Sequence, residues 1–442
     1  MALSPDRDVP QDTRRATTAD HPAITTGDAT DTTTTADHPA ITTDSPAAPT
    51  RGLLPLLLTG NTAMYALYIG VGSVLLPLQI EHLDPAAKVA NLGLVSGVAA
   101  ILATVFNPFA GALSDRSGRR NPWILGGGLA AVATMALLGS VNSVLLVCVA
   151  WCLGQAAMNF YQAAITSVVP DRVPAARRGT ASAAVGLGLP LGSTLGVLLA
   201  SAFSDHLRTG YLVLGLLVAL AAALFSGLAR ERRMPARTAV PLRDQAAAFL
   251  GVLRERDFRW AFIGRALLVL GYFAVVGYQL YILQDHIDLP SGLRPEDAIA
   301  ILTPVSAVAM AVSTVAGGVL SDRLDRRKPF VAVSAALSAA ALLIPVLSPT
   351  WPGMIVFSAV NGLAFGCFMA VDTALVTMVL PSAEDAARDL GVLNIANAGP
   401  QIVAPFVASA VVGLGGYTPL FSLGAVLAVA GALAVRPIRG VR

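Results

Sequence analysis

Two ionisable residues lie deep inside long apolar stretches of this sequence, where a charge is costly and therefore informative. Asp372 is the only acidic residue far from the ends of such a stretch, and Arg265 is the only basic one. Burial disfavours the charged form of a carboxyl group, whereas a nearby cation favours it. A carboxylate that alternates between these settings can bind and release a proton. We predict that Asp372 is such a proton site with Arg265 as its partner, and a static ion pair or a clamp on a solute is the alternative.

Uncharged polar residues recur on single faces of the same apolar stretches. Successive helical residues are turned by about 100°, so residues three, four, seven or eleven apart share a face. Buried polar groups cost free energy unless they are paired or face water. The stripes therefore predict a polar substrate cavity between helices, with simple pairing of neighbouring helices as the alternative. The stripes consist of Asn61, Tyr65 and Tyr68; Gln155, Asn159 and Gln162; Arg265, Tyr272 and Gln279; Asn361 and Asp372; and Asn394, Asn397 and Gln401.

A charged motif occurs twice, each time between two apolar stretches. GALSDRSGRR at 111–120 and GGVLSDRLDRR at 317–327 share a glycine, an aspartate and three arginines at the same spacing, and Asp325 stands where the first copy has Gly118. The shared glycine favours close approach of two helices. The aspartate, at a helix end, can accept hydrogen bonds from a facing helix N-terminus or pair with arginine. We predict that these contacts hold one side of the molecule closed, and the alternative is that the arginines only fix topology. The predicted gate comprises Gly111, Asp115, Arg116, Gly118, Arg119 and Arg120 in the first copy and Gly318, Asp322, Arg323, Arg326 and Arg327 in the second.

The composition indicates which elements carry these residues. Of the 442 residues, 55% are hydrophobic and 13% are charged, whereas soluble domains carry about 25% charged residues. A helix needs about 20 apolar residues to cross the hydrocarbon of a bilayer, and the uncharged runs are long enough for twelve. The predicted helices lie near 53–80, 89–113, 122–140, 143–169, 180–203, 210–229, 259–284, 297–320, 329–347, 352–380, 390–412 and 417–435.

The position of the repeated motif divides the chain into two halves. It joins predicted helices 2 and 3 and again helices 8 and 9, which predicts an all-α integral membrane protein with two six-helix pseudo-repeats around a central cavity. Helices 3, 6, 9 and 12 lack strongly polar residues in their central stretches and are expected to face lipid. The predicted divisions are a disordered cytoplasmic tail at 1–52, six-helix bundles at 53–229 and 259–436, a cytoplasmic linker at 230–258 and a cytoplasmic tail at 437–442.

The orientation follows from the basic residues, which are enriched on the cytoplasmic side of membrane proteins. With both termini inside, all but four of the 30 Lys and Arg residues lie in cytoplasmic segments. We predict a multi-pass protein of the cytoplasmic membrane with both termini in the cytoplasm. The net charge of +3 then reflects orientation and not binding of nucleic acid.

Several classes of function are not expected. The three cysteines lie within predicted helices and are expected to pack as small apolar residues. The sequence has no recognisable set of metal ligands and no nucleophile with a matching base. We therefore predict no metal, no other cofactor and no enzymatic activity. We expect a monomer whose partners are a small-molecule substrate, protons and the lipid bilayer.

The first copy of the charged motif resembles the loop 2–3 signature of the major facilitator superfamily, G-x-x-x-D-R-x-G-R-R. The resemblance covers about residues 53–435. It implies a twelve-helix transporter, and it implies that Asp115 is an element of a cytoplasmic gate. Two parallel halves around a central path are also the plan of secondary transporters that work by a rocking motion.

The predicted function is secondary active transport of a small solute by alternating access, coupled to protons, and two short segments bear on the solute. GRRNPWIL at 118–125 resembles the loop of the glycoside and sucrose symporter-like branch, and the polar stripes with their tyrosines suit a sugar-like solute. GLGLPLG at 186–192 instead resembles the helix 5 motif of drug–proton antiporters. However, Leu189 separates Gly188 from Pro190, and predicted helix 4 lacks the arginine of those antiporters. A membrane receptor or scaffold with the same fold is a third alternative.

Overall fold

The computed structural model describes residues 52–174, 177–231, 233, 255–324, 326–379 and 386–438, except for the side chains of 373–379 and 386–397. Within these residues, twelve helices are long and apolar enough to cross a membrane, which confirms the predicted number. The molecule is thus an all-α, multi-pass membrane protein. The predicted N-terminal tail, apart from residue 52, and most of the predicted linker lie outside the described residues.

Eleven spanning helices are each assigned as one stretch, whereas the first contains a π-helical turn. α1 covers Leu53–Gly70 and continues through the turn Val71–Leu75 into Leu76–Leu83. The others are α2 (Lys88–Ser117), α3 (Asn121–Leu138), α4 (Val144–Arg172), α5 (Arg178–Ala202), α6 (Leu207–Leu228), α7 (Arg256–Val276), α8 (Pro295–Leu324), α9 (Arg327–Leu347), α10 (Trp351–Val379), α11 (Ala386–Gly415) and α12 (Tyr417–Ala434).

Consecutive helices cross in opposite directions, so the connecting loops alternate between two ends of the bundle. We call the end with the α2–α3 and α8–α9 loops, which carry the two copies of the charged motif, the loop end. The opposite end, where α1 ends and α2 begins, is called the far end. These names describe the molecule without assigning either end to a side of the membrane.

The helix contacts repeat with a period of six helices, which confirms the two pseudo-repeats. In the first half α1 packs on α5 and α6, α2 on α4, and α3 on α4 and α6. In the second half α7 packs on α11 and α12, α8 on α10, and α9 on α10 and α12. The main contacts between the halves pair α2 with α11 and α5 with α8.

The apolar core joins the halves at the far end. One continuous cluster of buried side chains fills the first half and extends into far-end residues of the second half, such as Tyr281 and Leu420. A separate cluster, which includes Phe258, Leu268 and Phe368, fills the loop end of the second half. The loop end of the second half therefore has a core of its own.

Three glycines of α5 allow α1 and α5 to pack closely. A Cβ atom on Gly188 would lie 2.6 Å from the Cβ of Asn61, and one on Gly192 would lie 2.5 Å from the carbonyl oxygen of Thr62. Gly196 meets the backbone of Ala66 in the same way. Gly188 and Gly192 belong to the GLGLPLG segment, which thus lies on a small-residue helix interface typical of membrane proteins.

The prediction of one continuous seventh helix over 259–284 is wrong. α7 ends at Val276, and a short helix, Gln279–Asp285, follows after Gly277 and Tyr278. Glycine is a weak helix former, and the buried Tyr278 side chain is held by carbonyl groups of α2 and α11. Because of this break, Gln279 does not continue the helical face of Arg265 and Tyr272.

Candidate functional site

An ion pair joins α7 to α10 in the interior of the second half. The Arg265 Nη1 atom donates a hydrogen bond to the Asp372 Oδ2 atom at 2.5 Å, and the two side chains are 2% and 4% exposed. Charge-assisted hydrogen bonds are among the strongest in proteins, and breaking a buried pair leaves a costly unpaired charge. The carboxylate is therefore held by its cation, and a proton on Asp372 would cancel the charge that holds it.

Aromatic rings cover the ion pair on its far-end side. Tyr272 follows Arg265 by two helical turns, and its ring stacks on that of Phe365 with centroids 3.7 Å apart and planes inclined by 12°. Phe273 meets both rings edge-on. Tyr272, Phe273 and Phe365 thus form an aromatic cluster next to the pair, in which Phe365 is buried and Tyr272 is partly exposed.

The polar stripes of the first half are partly satisfied within the protein. The Tyr68 hydroxyl donates to Gln162 Oε1 at 3.4 Å between α1 and α4. Asn159 donates instead to the carbonyl of Gln155, one turn earlier in α4. In α1, Asn61 likewise donates to the carbonyl of Leu57 at 2.8 Å and is 1% exposed, while Tyr65 is half-buried.

The described residues of the second-half stripes differ in exposure and in hydrogen-bond partners. Asn361 is buried and its Oδ1 atom accepts a hydrogen bond from Ser338 of α9 at 3.0 Å. Gln401 is exposed. The side chains of Asn394 and Asn397 lie outside those described. Among the described stripe residues of this half, only Arg265 and Asp372 meet each other through a hydrogen bond.

At the loop end of the first half, one buried arginine organises the charged motif. Arg120 donates from Nη2 to Asp115 Oδ1 at 2.6 Å, from Nε to Asp171 Oδ2 at 2.9 Å and from Nη1 to the Ser114 hydroxyl at 2.7 Å. Burial by itself lowers the pKa of the Arg120 guanidinium, but the hydrogen bonds and charges of both aspartates raise the pKa above its ordinary value. Arg120 therefore stays charged and ties α2 to α4.

Glu231 connects this motif to the segment that follows α6. Its carboxylate accepts hydrogen bonds from the backbone N–H groups of Arg120 and Asn121, at 3.1 and 3.0 Å, where α3 begins. The first N–H groups of a helix lack partners within the helix, and its N-terminus favours negative charge. Arg172 of α4 in turn donates to both Glu231 and Asn121 at 3.0 Å.

The glycines of the motif differ in their surroundings. A Cβ atom on Gly111 would have no described atom within 4 Å, and the close helix approach in the closed loop end stays a prediction. In the second copy, Gly317 makes the closer approach to α10, because a Cβ on Gly317 would lie 2.8 Å from Cys367 Sγ, whereas one on Gly318 would lie 3.9 Å from the Cβ of Ala370. Gly118 does have a structural role, since its φ of 61° is a left-handed conformation that ends α2.

Among the residues that the structure describes, the second copy of the motif repeats only the first contact of the network. Arg327 donates to Asp322 at 3.0 Å, as Arg120 does to Asp115, but Asp322 is 65% exposed. The remaining motif arginines are exposed, and they are Arg116, Arg119, Arg323 and Arg326. Asp325 lies outside the described residues. When Pro170 is aligned with Pro381, the residue that corresponds to Asp171 is Ser382. The second half therefore has no carboxylate at this position.

The sequence pattern did not identify Asp171, Arg172 or Glu231 as members of this network. Each lies at the end of a helix, where a charge also serves to fix topology. The segment PDR at 170–172 could have indicated this network, because an acidic and a basic residue stand next to each other at the end of a predicted membrane helix.

The buried network supports a stability prediction. Substitution Arg120→Gln removes the cation that Asp115 and Asp171 share, and breaking a buried pair costs about 3–5 kcal/mol. We expect a clear loss of thermal stability in detergent and of protein abundance. Arg119→Gln is the matched control, because Arg119 is exposed and surface substitutions change stability by about 0.5 kcal/mol or less. Equal thermal stability of the two variants would contradict the structural role of Arg120.

The family follows from a comparison with known proteins. A family model described as Major Facilitator Superfamily matches residues 57–295 and 292–441, which is most of the chain. This protein belongs to the Major Facilitator Superfamily, and it is therefore a membrane transporter and not an enzyme.

One curated relative and several solved structures are similar to this chain. The multi-drug resistance efflux pump PmrA of Streptococcus pneumoniae is 30% identical over 174 residues, which are 37% of this chain and 43% of the pump. The chain thus matches less than half the length of that relative. A bacterial homolog of the human lysosomal transporter Spinster has a TM-score of 0.67 at 16% identity, and covers 89% of this chain and 96% of its own. A POT family transporter in complex with 5-aminolevulinic acid has a TM-score of 0.71 at 12% identity, with coverage of 88% and 96%.

Proposed function

We propose that this protein is a proton-coupled secondary transporter that exports amphipathic solutes by alternating access. The observation that carries this proposal is the buried Arg265–Asp372 pair, which joins two helices of one half at 2.5 Å. Ionisable residues inside a membrane are rare and functional by default. A proton site that is reached from the two sides in turn couples proton movement to the conformational cycle.

The pair acts through the packing of the loop end of the second half. While Asp372 is ionised, its bond to Arg265 holds α10 against α7. Protonation of Asp372 removes the negative charge from this contact and weakens it. The loop end of the second half has a core separate from that of the first half. A change in the contact between α7 and α10 can therefore alter the packing of this loop end without disturbing the first half.

The far-end contact of the two halves is one state of this cycle. Alternating access requires the halves to part at the far end while they meet at the loop end. We assign Asp115 and its network to the closing of the loop end, as the family resemblance implies. In the structure, Asp115 accepts a hydrogen bond from Arg120 of its own half. This contact compensates the charge of Asp115 in a state in which Asp115 does not yet join the loop ends of the two halves.

The chemistry of the interior favours an amphipathic solute. The amide N–H groups of Asn61 and Asn159 and the amide oxygen of Asn361 are bonded within the protein, whereas the buried Asn61 Oδ1 atom is left to a polar group of the solute. Tyr272, the partly exposed ring of the aromatic cluster, can supply an apolar contact for such a solute. The similarity to a multi-drug efflux pump supports export, although it covers only part of that pump.

Uptake of a polar solute is the second candidate. Tyr68 and Gln162 are both half-buried and lie within 3.4 Å of each other, and such a pair can bind hydroxyl groups. A transport screen in proteoliposomes separates the two candidates. We expect ethidium, but not radiolabelled sucrose, to move against its gradient when a pH gradient is imposed. Movement of sucrose alone would favour the second candidate.

The proposed orientation places the loop end and both termini in the cytoplasm. Position 243 lies in the Arg-rich segment between the halves, outside the described residues. We expect a thiol introduced by Arg243→Cys, in a chain whose three native cysteines are replaced by alanine, to be unreactive toward an impermeant maleimide in intact cells and reactive after lysis. Asn142→Cys, in an exposed far-end loop, is the matched control and is expected to react in intact cells. The reverse pattern would invert the proposed topology.

A further inference from the structure

Charged and polar side chains of the two halves meet at the far end around Lys88. This residue begins α2, and its Nζ atom lies 2.9 Å from Asp285 Oδ1 in the second half. The neighbouring Gln284 donates back across the interface to Glu81 Oε2 at 2.8 Å. The Lys88, Glu81 and Asp285 side chains are 15%, 25% and 35% exposed, so these contacts are partly shielded from water on the lysine side.

The two charges of the cross-half ion pair each have a second partner within their own half. Lys88 also bonds to Glu81 of α1 at 2.8 Å. Asp285 accepts a hydrogen bond from the Tyr417 hydroxyl at the start of α12, also at 2.8 Å. If the halves separate at the far end, the lysine keeps a carboxylate and the aspartate keeps a hydroxyl donor.

A neutral group beside the ion pair is arranged in the same manner. The Tyr278 hydroxyl lies 3.2 Å from the carbonyl oxygen of Val89 in the first half and 3.0 Å from that of Pro405 in its own half. A hydroxyl group has one proton to donate, so either carbonyl can satisfy it. Separation of the halves therefore leaves this buried donor with an acceptor.

We propose that Lys88 and Asp285 form a reversible latch that closes the far end, and that Glu81 and Tyr417 hold the two charges while the latch is open. The proposal rests on the proposed alternating-access function. Separating a partly buried ion pair is costly when it leaves its charges uncompensated. The partners within each half remove that obstacle, so the latch can stabilise the closed state without blocking its opening.

A second contact between the halves differs from the latch in its exposure. Arg294 bonds to Asp205 across the interface at 3.1 Å, but the two side chains are 44% and 77% exposed. Exposed ion pairs contribute little because water and salt screen them. Arg294→Gln therefore serves as the matched control for substitutions in the latch.

Substitution of the cross-half ion pair and substitution of its partner Tyr417 are expected to change the open population in opposite directions. Asp285→Asn removes a contact made across the halves and should raise the ratio of far-end-open to far-end-closed molecules severalfold, as expected for a charge-assisted contact that water partly screens. Tyr417→Phe should lower that ratio, because Asp285 keeps Lys88 in the closed state but loses its hydroxyl donor in the open state. In the double variant Asp285→Asn/Tyr417→Phe, the effect of the tyrosine substitution should disappear.

The populations can be measured by double electron–electron resonance in lipid nanodiscs. Spin labels are attached through Asn142→Cys and Ser291→Cys, two exposed far-end positions in different halves, with the three native cysteines replaced by alanine. We expect a longer-distance population that grows in Asp285→Asn, shrinks in Tyr417→Phe and is unchanged in Arg294→Gln. Lys88→Met should act as Asp285→Asn does.

Two outcomes would overturn the latch. One is an unchanged distance distribution in both Asp285→Asn and Lys88→Met, in protein that remains monodisperse. The other is a rise in the open population in Tyr417→Phe equal to that in Asp285→Asn, which would indicate general loosening of the far end. The measurement needs neither solute nor proton gradient. A failed transport assay with the expected distance changes would therefore count against the proposed function and not against the latch.

Discussion

Substitution Asp372→Asn is expected to abolish transport driven by a pH gradient while downhill exchange of the same solute stays partly intact. Asparagine keeps the shape of the side chain and can still accept a hydrogen bond from Arg265, but it cannot take up and release a proton. The halves can therefore still exchange positions, although no proton movement is coupled to that exchange. Both activities can be measured in one proteoliposome preparation, with ethidium as the solute and the pH gradient either imposed or absent.

A surface carboxylate provides the control for this prediction. Asp205 is 77% exposed, and Asp205→Asn should leave both activities near those of the unchanged protein. Gradient-driven transport at the unchanged rate in Asp372→Asn would place proton coupling elsewhere. Simultaneous loss of driven transport and exchange would instead make Asp372 a clamp on the solute or a structural partner of Arg265.

The partner substitution distinguishes these roles of Asp372. Arg265→Gln leaves the buried carboxylate without its cation, and breaking such a pair costs about 3–5 kcal/mol. We expect poor folding of this single variant. The double variant Arg265→Gln/Asp372→Asn carries no charge at this place, so its abundance and exchange should recover. Recovery of exchange without recovery of proton-driven transport would fit a coupling pair whose charge is also structural.

Substitution Gly93→Val is expected to stop the transport cycle by holding the far end open. Gly93 of α2 faces the second half, where a Cβ atom would lie 2.5 Å from the Cβ of Ser409 and 2.7 Å from the Tyr278 hydroxyl. Tyr278 is buried and hydrogen-bonded, so it cannot move aside without loss. Because the clash lies between the halves, the fold of each half should survive while transport falls to background. The spin-label pair at positions 142 and 291 should report the longer distance.

Two other glycines separate a block of the cycle from a folding defect. Gly126 has no described atom within 4 Å of a Cβ position, and Gly126→Val should leave transport nearly unchanged. Gly192 lies against the backbone of Thr62 within one half, so Gly192→Val should reduce the amount of folded protein. Normal transport in Gly93→Val would mean that the far-end contact is not part of the cycle.

The sequence predicted the membrane helices and the buried ion pair for the same physical reason. Charges are rare within spanning segments, so the uncharged runs mark the helices, and the two exceptions, Asp372 and Arg265, are conspicuous. Helical periodicity then placed each of them on a face with other polar residues. The structure adds the 2.5 Å contact between them, which residue spacing on two separate helices cannot predict.

The positions of close helix contacts could not be predicted in the same way. A glycine permits a close approach, but which neighbour it meets depends on the packing of helices distant in sequence. Gly93 and Gly317 lie at such contacts, and nothing in the sequence pattern distinguished them from other helical glycines. The break after Val276 was likewise missed, because the tyrosine that follows it is anchored by carbonyl groups of two distant helices.

The far-end latch left almost no trace in the sequence pattern. Lys88 and Asp285 lie next to predicted loops, where isolated charges are expected in any membrane protein. Their pairing depends on the α2–α11 and α5–α8 contacts that bring the halves together. Spatial proximity across the two halves is therefore the information that sequence periodicity lacks.

Solute-dependent proton movement shows directly whether the Arg265–Asp372 pair couples protons to transport. A pH-sensitive dye is trapped inside proteoliposomes, and an ethidium gradient is imposed without any initial pH gradient. We predict that the ethidium gradient changes the internal pH with the unchanged protein and with Asp205→Asn. With Asp372→Asn, ethidium should still exchange while the internal pH stays constant. A pH change of the same size in Asp372→Asn would contradict the account.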